Sequence, residues 1–133
     1  MARPAFSLRG DVVSDNLTGL VWCRDANLAE FPLTWQGAFD FIAGLNRKKI
    51  FGFADWRLPN RHELLRLMDY QTTKPPLLSD HPFTNVRDEY WSSTTSVFEP
   101  AWAWALSLHK GAVGVSLKQG RHFYVWPVCD SSG

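Results

Sequence analysis

Residues 101–108 read Ala-Trp-Ala-Trp-Ala-Leu-Ser-Leu, a strict two-residue alternation. Side chains of an extended strand point to opposite faces in turn. Trp102, Trp104, Leu106 and Leu108 therefore share one face, and Ala103, Ala105 and Ser107 occupy the other. A segment patterned this way needs strands beside it, and the flanking chain supplies them. Tyr90–Thr94 is a β-prone run. Gly111 makes a turn into a further strand over Ala112–Leu117. Tyr124–Cys129 forms the last strand, where Pro127 predicts an edge position or a bulge. Near the start, Val12–Ser14 and Leu20–Trp22 read as the arms of a hairpin. Asp15-Asn16-Leu17-Thr18-Gly19 between them carries turn chemistry that ends in glycine.

Two segments have the helical period instead. Behind Thr34, an N-cap candidate, Trp35, Ala38, Phe39, Phe41, Ile42 and Leu45 recur at i, i+3, i+4 and i+7, which predicts a buried helix face. Asn46 and the basic cluster Arg47-Lys48-Lys49 end it, cations being favoured at the negative helix end. The second helix opens at Asn60, with Glu63 three residues on as in a capping box. Leu64, Leu65, Leu67 and Met68 supply its apolar face, and Lys74-Pro75-Pro76 stops it. Leu77–Arg87 reads as an irregular loop. Hairpin, two helices, then antiparallel strands is an α+β order. With 133 residues and no internal repeat or linker, one domain and one core are expected. Seven Trp and nine Phe can anchor such a core, and surplus rings can line a binding face.

The same residues argue against several function classes. A net charge of +1 argues against a dedicated nucleic-acid binder, which would normally show a basic face. No apolar run is long enough to span a membrane, and Met1–Gly10 lacks the core of a signal peptide, so the chain reads as cytosolic or as a domain of a longer, exported protein. Cys23 and Cys129 share no ligand spacing with each other or with His62, His81, His109 and His122, so no metal is expected; the two thiols are either one disulfide or two buried groups. No nucleophile elbow or phosphate loop is present, and Asp88-Glu89 reads as a solvated pair. No cofactor and no catalytic residue is expected.

Five segments, in order, resemble the Lcl C-terminal domain family. They are Asp15–Trp22; Trp35 with Ala38; Asp55-Trp56-Arg57-Leu58-Pro59-Asn60 with Glu63-Leu64; His81–Val86 with Tyr90–Thr94; and Tyr124–Val128. The resemblance covers about Asp11 to Cys129. It implies a C-type-lectin-like fold, with two helices on a small twisted antiparallel sheet and the first and last strands adjacent. It also implies a bacterial surface or exported setting. The family is named for a collagen-like adhesin, so glycans or sulfated polysaccharide as partners, and a homo-oligomer such as a trimer, are directions that it suggests. Two departures stand out. Ile42 replaces a helix cysteine common in the family, and Val128-Cys129-Asp130 replaces its usual ending. The common helix-to-terminus disulfide is thus absent, and adjacent chain ends would bring Cys23 and Cys129 near each other instead. The Arg57-Leu58-Pro59 and Glu63 element also looks like part of the formylglycine-generating enzyme fold, without that enzyme's length or its recognisable cysteine pair.

Sugars present hydroxyls and flat apolar faces together, so their sites combine polar groups with aromatic rings. The run Tyr90–Ser96 has that composition, although Ser and Thr in a strand also serve to satisfy backbone groups. The loop Val97-Phe98-Glu99-Pro100 is a natural recognition element. Lys110, Lys118, Arg121 and His122 are available for an anionic ligand, or are simply surface cations. The candidate ligand residues are Ser92, Ser93, Thr95, Phe98, Glu99, Trp102, Lys118 and Arg121. Trp22, Trp35, Trp56, Arg57, Glu63, Trp91 and Trp126 read as a structural signature. The expected function is non-catalytic ligand recognition. An oligomerising interaction module is the alternative, and an enzyme remnant a more distant one.

Overall fold

The computed structural model describes residues 6–68, 82–121 and 123–130. Its elements in chain order are β1 (Phe6–Arg9), β2 (Val12–Asp15), β3 (Leu20–Cys23), α1 (Trp35–Arg47), α2 (Arg61–Leu65), β4 (Glu89–Thr95), β5 (Trp102–Ser107), β6 (Ala112–Leu117) and β7 (Val128–Asp130), with a 3-10 turn at Ile50–Gly52. The α+β class holds. The single small sheet that the resemblance implied is instead two antiparallel sheets, β1-β2-β3-β7 and β4-β5-β6. Proline explains the split. Pro127 has no N–H to donate, so the ladder begins only after it, at Val128, and the expected strand over Tyr124–Cys129 is shortened to β7. Upstream, Tyr124 makes an isolated bridge to Tyr90 that joins the two sheets.

The two ends of the chain meet as the resemblance implied. Leu20, Val21 and Trp22 pair with Asp130, Cys129 and Val128. Cys129 therefore lies across from Val21, while Cys23 bonds the carbonyl of Pro127 through its N–H, two residues further along. The two cysteines are therefore diagonal across this ladder rather than directly opposed. Both are buried and free. A further strand, β1, was not anticipated. It pairs with β2 through the two-residue turn Gly10-Asp11, in which Gly10 has φ of 65°.

Helix α1 starts where Thr34 caps it, the hydroxyl accepting the Gly37 N–H at 3.0 Å. It buries Ala38, Ile42 and Leu45, while Trp35, Phe39 and Phe41 pack at its margin. Helix α2 has the full capping box, with Asn60 Oδ1 on the Glu63 N–H and Glu63 Oε1 on the Asn60 N–H, both at 2.8 Å. It lasts only five residues, and single-turn bonds carry Leu67 and Met68 onward. The expected Lys74–Pro76 stop, and much of the expected loop from Leu77, lie outside the described residues.

The core divides by strand parity. Val12, Val21, Cys23, Trp91, Ala103, Ala105 and Cys129 face α1, whereas Val13, Leu20, Trp22, Tyr90, Leu106 and Val128 face α2. β3 is thus covered on both faces, which is why it is buried at every position. Trp126 sits at the hub of the α2 side, with the rings of Trp22, Phe83 and Tyr90 at 5.5, 4.8 and 4.9 Å. Burying rings of this size contributes about 1.5–3 kcal/mol each. Among the described residues no helix is long and apolar enough to cross a membrane.

Candidate functional site

On β5 and β6 the bulky face runs as three cross-strand pairs: Leu106 with Val113, Trp104 with Val115, and Trp102 with Leu117. The first pair is covered by α2, where Leu106 is fully buried. Because α2 is so short, the strands run out from under it. Trp104 and Trp102 are half-exposed, and Val115 and Leu117 are 43% and 48% exposed. Arg61, the first residue of α2, lays its guanidinium over the Trp104 ring at 4.6 Å. The Arg61 N–H is held by Thr94 Oγ1 at 3.2 Å. Among the described residues Arg61 has no carboxylate partner, so its charge remains open to a ligand.

The loop from Ser96 to Trp102 extends this face. It is braced at both ends: Ser96 N–H donates to the Trp102 carbonyl and Trp102 N–H to the Glu99 carbonyl, each at 2.9 Å. Ser96 Oγ also accepts the Phe98 and Glu99 N–H groups at 3.4 Å. The bracing leaves Val97 and Phe98 outside, 86% and 89% exposed. Trp102, Trp104, Val115 and Leu117 share one strand face, and with Val97 and Phe98 exposed on the loop that leads into it they make the kind of apolar surface that marks an interaction site.

The eight candidate ligand residues do not converge. Trp102, Phe98 and Glu99 belong to the face just described. Thr95 pairs with Ala103, on the opposite face of the sheet. Lys118 lies over the Trp35 ring at 4.0 Å, and Arg121 is exposed in the following loop. Ser93 is half-buried, its N–H tied to the Pro59 carbonyl at 2.8 Å. Ser92 is fully buried at a β4 irregularity, donating to the Trp104 carbonyl at 2.6 Å and accepting from the Thr94 N–H at 3.1 Å. Its hydroxyl is consumed by the ladder and cannot reach a ligand. Arg61, Trp104, Val115 and Leu117 were not anticipated as site residues. The alternation of 101–108 puts Trp104 on the same strand face as Trp102 and is the sequence signal that marks it.

The signature residues lock the chain ends rather than line this face. Trp22, Trp56, Trp91 and Trp126 are buried, and Trp35 is half-buried. The indole N–H groups of Trp35, Trp56, Trp91 and Trp126 donate to the carbonyls of Ser92, Ile50, Leu33 and Cys23. Arg57 grips Glu63 with two parallel bonds of 2.7 and 2.8 Å and reaches Asp130 at 3.0 Å. Its backbone bridges Val128, with N–H to carbonyl distances of 2.8 and 3.0 Å. One residue thus ties α2 to the last strand. Those hydrogen bonds raise the Arg57 pKa further, against its burial. Burial alone would push the Glu63 carboxyl up, but the Arg57 guanidinium and the Asn60 N–H outweigh it and hold the group below the usual carboxylate range.

Among the described residues no group of three His, Cys, Asp or Glu side chains is placed to hold a metal ion. No curated protein is significantly similar to the chain. The family model of the Lcl C-terminal domain matches residues 11–129, from the turn before β2 into the last strand. The chain therefore belongs to the Lcl C-terminal domain family.

Proposed function

We propose that this domain is a non-catalytic recognition module that binds glycans, or another polymer displayed on a surface, through the Trp102–Trp104 face and the loop above it. The observation that carries the reading is a pair of half-exposed indoles, with the Arg61 guanidinium stacked over the Trp104 ring and without a carboxylate partner among the described residues. The Trp102 ring offers a flat face to the apolar side of a sugar, and the guanidinium held on Trp104 takes hydroxyl, carboxylate or sulfate oxygens. Family membership supports an exported bacterial setting. Pairing of the last strand β7 with β3 of the N-terminal hairpin, with two helices on the sheets, supports kinship with C-type-lectin-like folds.

The test is a glycan array spanning neutral and sulfated sugars, followed by titration of hits. Trp102→Ala and Trp104→Ala should each weaken binding roughly tenfold or more, as loss of an aromatic anchor does, with the melting temperature little changed. Absence of any hit above background would end the reading. A second reading, an oligomerising module, is favoured by β6. It is the free edge of its sheet and exposes Val115 and Leu117, without a charge or proline along its length to discourage pairing. Light scattering separates the two: a stable trimer favours assembly, and a monomer at high concentration removes it.

A further inference from the structure

We propose that the opposite face of the β4-β5-β6 sheet carries a second site, a trough for a small zwitterion with an apolar side group, of which an α-amino acid is the simplest. The trough has a volume of about 380 Å³, within the range of about 300–1,000 Å³ usual for small-molecule sites. It is polar at one end and apolar in the middle, because of strand register. Glu89 pairs with Ser107 across β4 and β5, and Ser107 pairs with Ala112 across β5 and β6, which puts the carboxylate over one end of the floor. Lys110, in the turn that follows, lines the same trough. Its N–H is held by Ser107 Oγ at 3.3 Å, leaving the Ser107 proton free to donate.

The half-buried Glu89 and exposed Lys110 side chains form no ion pair with each other or with any other described residue. Two opposite charges that line one cavity and stay unpaired suit a ligand bearing both complements, an ammonium for Glu89 and a carboxylate for Lys110. A neutral sugar would leave both unmatched, at a cost in affinity. One row further along, Ala105 faces Gly114, and a Cβ added at Gly114 would meet nothing within 4 Å. Phe123 walls this middle section, its ring fixed edge-on against Trp91 at 4.6 Å. The space over Gly114 beside that ring is where the ligand's apolar group sits.

Isothermal titration with L-phenylalanine, L-leucine and glycine tests this on the whole chain, with phenethylamine and 3-phenylpropionate as single-charge controls. L-phenylalanine should bind saturably, glycine more weakly, and each single-charge analogue roughly tenfold or more below phenylalanine, a tenfold loss being about 1.4 kcal/mol. Gly114→Val should abolish binding while keeping or raising the melting temperature, because valine suits an ordinary strand position with open space above it. Glu89→Gln should selectively weaken the amines, and it serves as the check if the valine variant is unstable. Trp104→Ala should leave this binding unchanged, so its outcome is separate from that of the glycan reading. No saturable binding at roughly 10 mM, far weaker than any useful affinity, overturns the proposal. So does equal binding by the single-charge analogues, or undiminished binding by Gly114→Val.

Discussion

Replacing Glu63 should disconnect α2 from the last strand, and its size can be worked from two separable contacts. The carboxylate closes the capping box on Asn60 at 2.8 Å and holds Arg57 at 2.7 and 2.8 Å. Loss of a cap costs about 1 kcal/mol. Charge-assisted bonds contribute about 1.5–3 kcal/mol where water is excluded. Here the Arg57 side chain is 36% exposed and that of Glu63 16%, so solvent screening brings the pair down to about 1 kcal/mol. Glu63→Ala is therefore expected to lower the unfolding free energy by about 2 kcal/mol. Glu63→Gln, whose amide oxygen still accepts from Asn60, should lose about 1 kcal/mol. At about 3–5 °C per kcal/mol for a domain of this length, the melting point falls by about 6–10 °C and 3–5 °C respectively. Urea and thermal unfolding followed by Trp fluorescence measures both. A carboxylate whose folded pKa lies below its unfolded value adds stability above the unfolded pKa, about 4.3, and loses it as pH falls through the folded value. Glu63 is such a group. The wild-type and Glu63→Gln curves should therefore converge as the pH drops below about 4. A Glu63→Ala loss under about 0.5 kcal/mol at pH 7, within the range of an ordinary surface change, would refute the clamp. A gap that persists undiminished at low pH would refute its ionic part.

Two further outcomes are expected. Tyr90 is fully buried, and its hydroxyl donates to the Ala26 carbonyl at 2.9 Å and accepts the Arg87 N–H at 2.6 Å. Tyr90→Phe strands both and should cost about 1–3 kcal/mol in chemical denaturation; a neutral variant would mean that the partners find water. Cys23 and Cys129 are buried, and burial, with smaller contributions from Asp55 and Asp130, pushes the Cys129 thiol up to about 12. Both should resist iodoacetamide at pH 8 in the native protein and react fully in denaturant, as read by intact mass; a native mass two protons lower would reveal a bond and move the strands from their diagonal register.

Helix starts and strand existence were legible because their causes are local. Thr34 and the Asn60–Glu63 box cap with residues a few positions away, and the alternation of 101–108 has one solution. β1 was legible in principle, since Gly10-Asp11 between β-prone runs is a hairpin signal. The length of α2 was not: its apolar pattern continues through Met68, while the α-helix ends at Leu65 and only tighter single-turn bonds reach Leu67 and Met68.

By itself, then, the sequence determined the α+β class, the caps, the faces of the strands and the family. Those properties depend on neighbours in the chain. Only the tertiary structure decided that the sheet divides in two, that Ser92 is buried while Trp102 and Trp104 emerge from beneath α2, and that Glu89 and Lys110 line one trough without pairing. Exposure and charge pairing depend on which distant segment covers a side chain, and no local pattern encodes that.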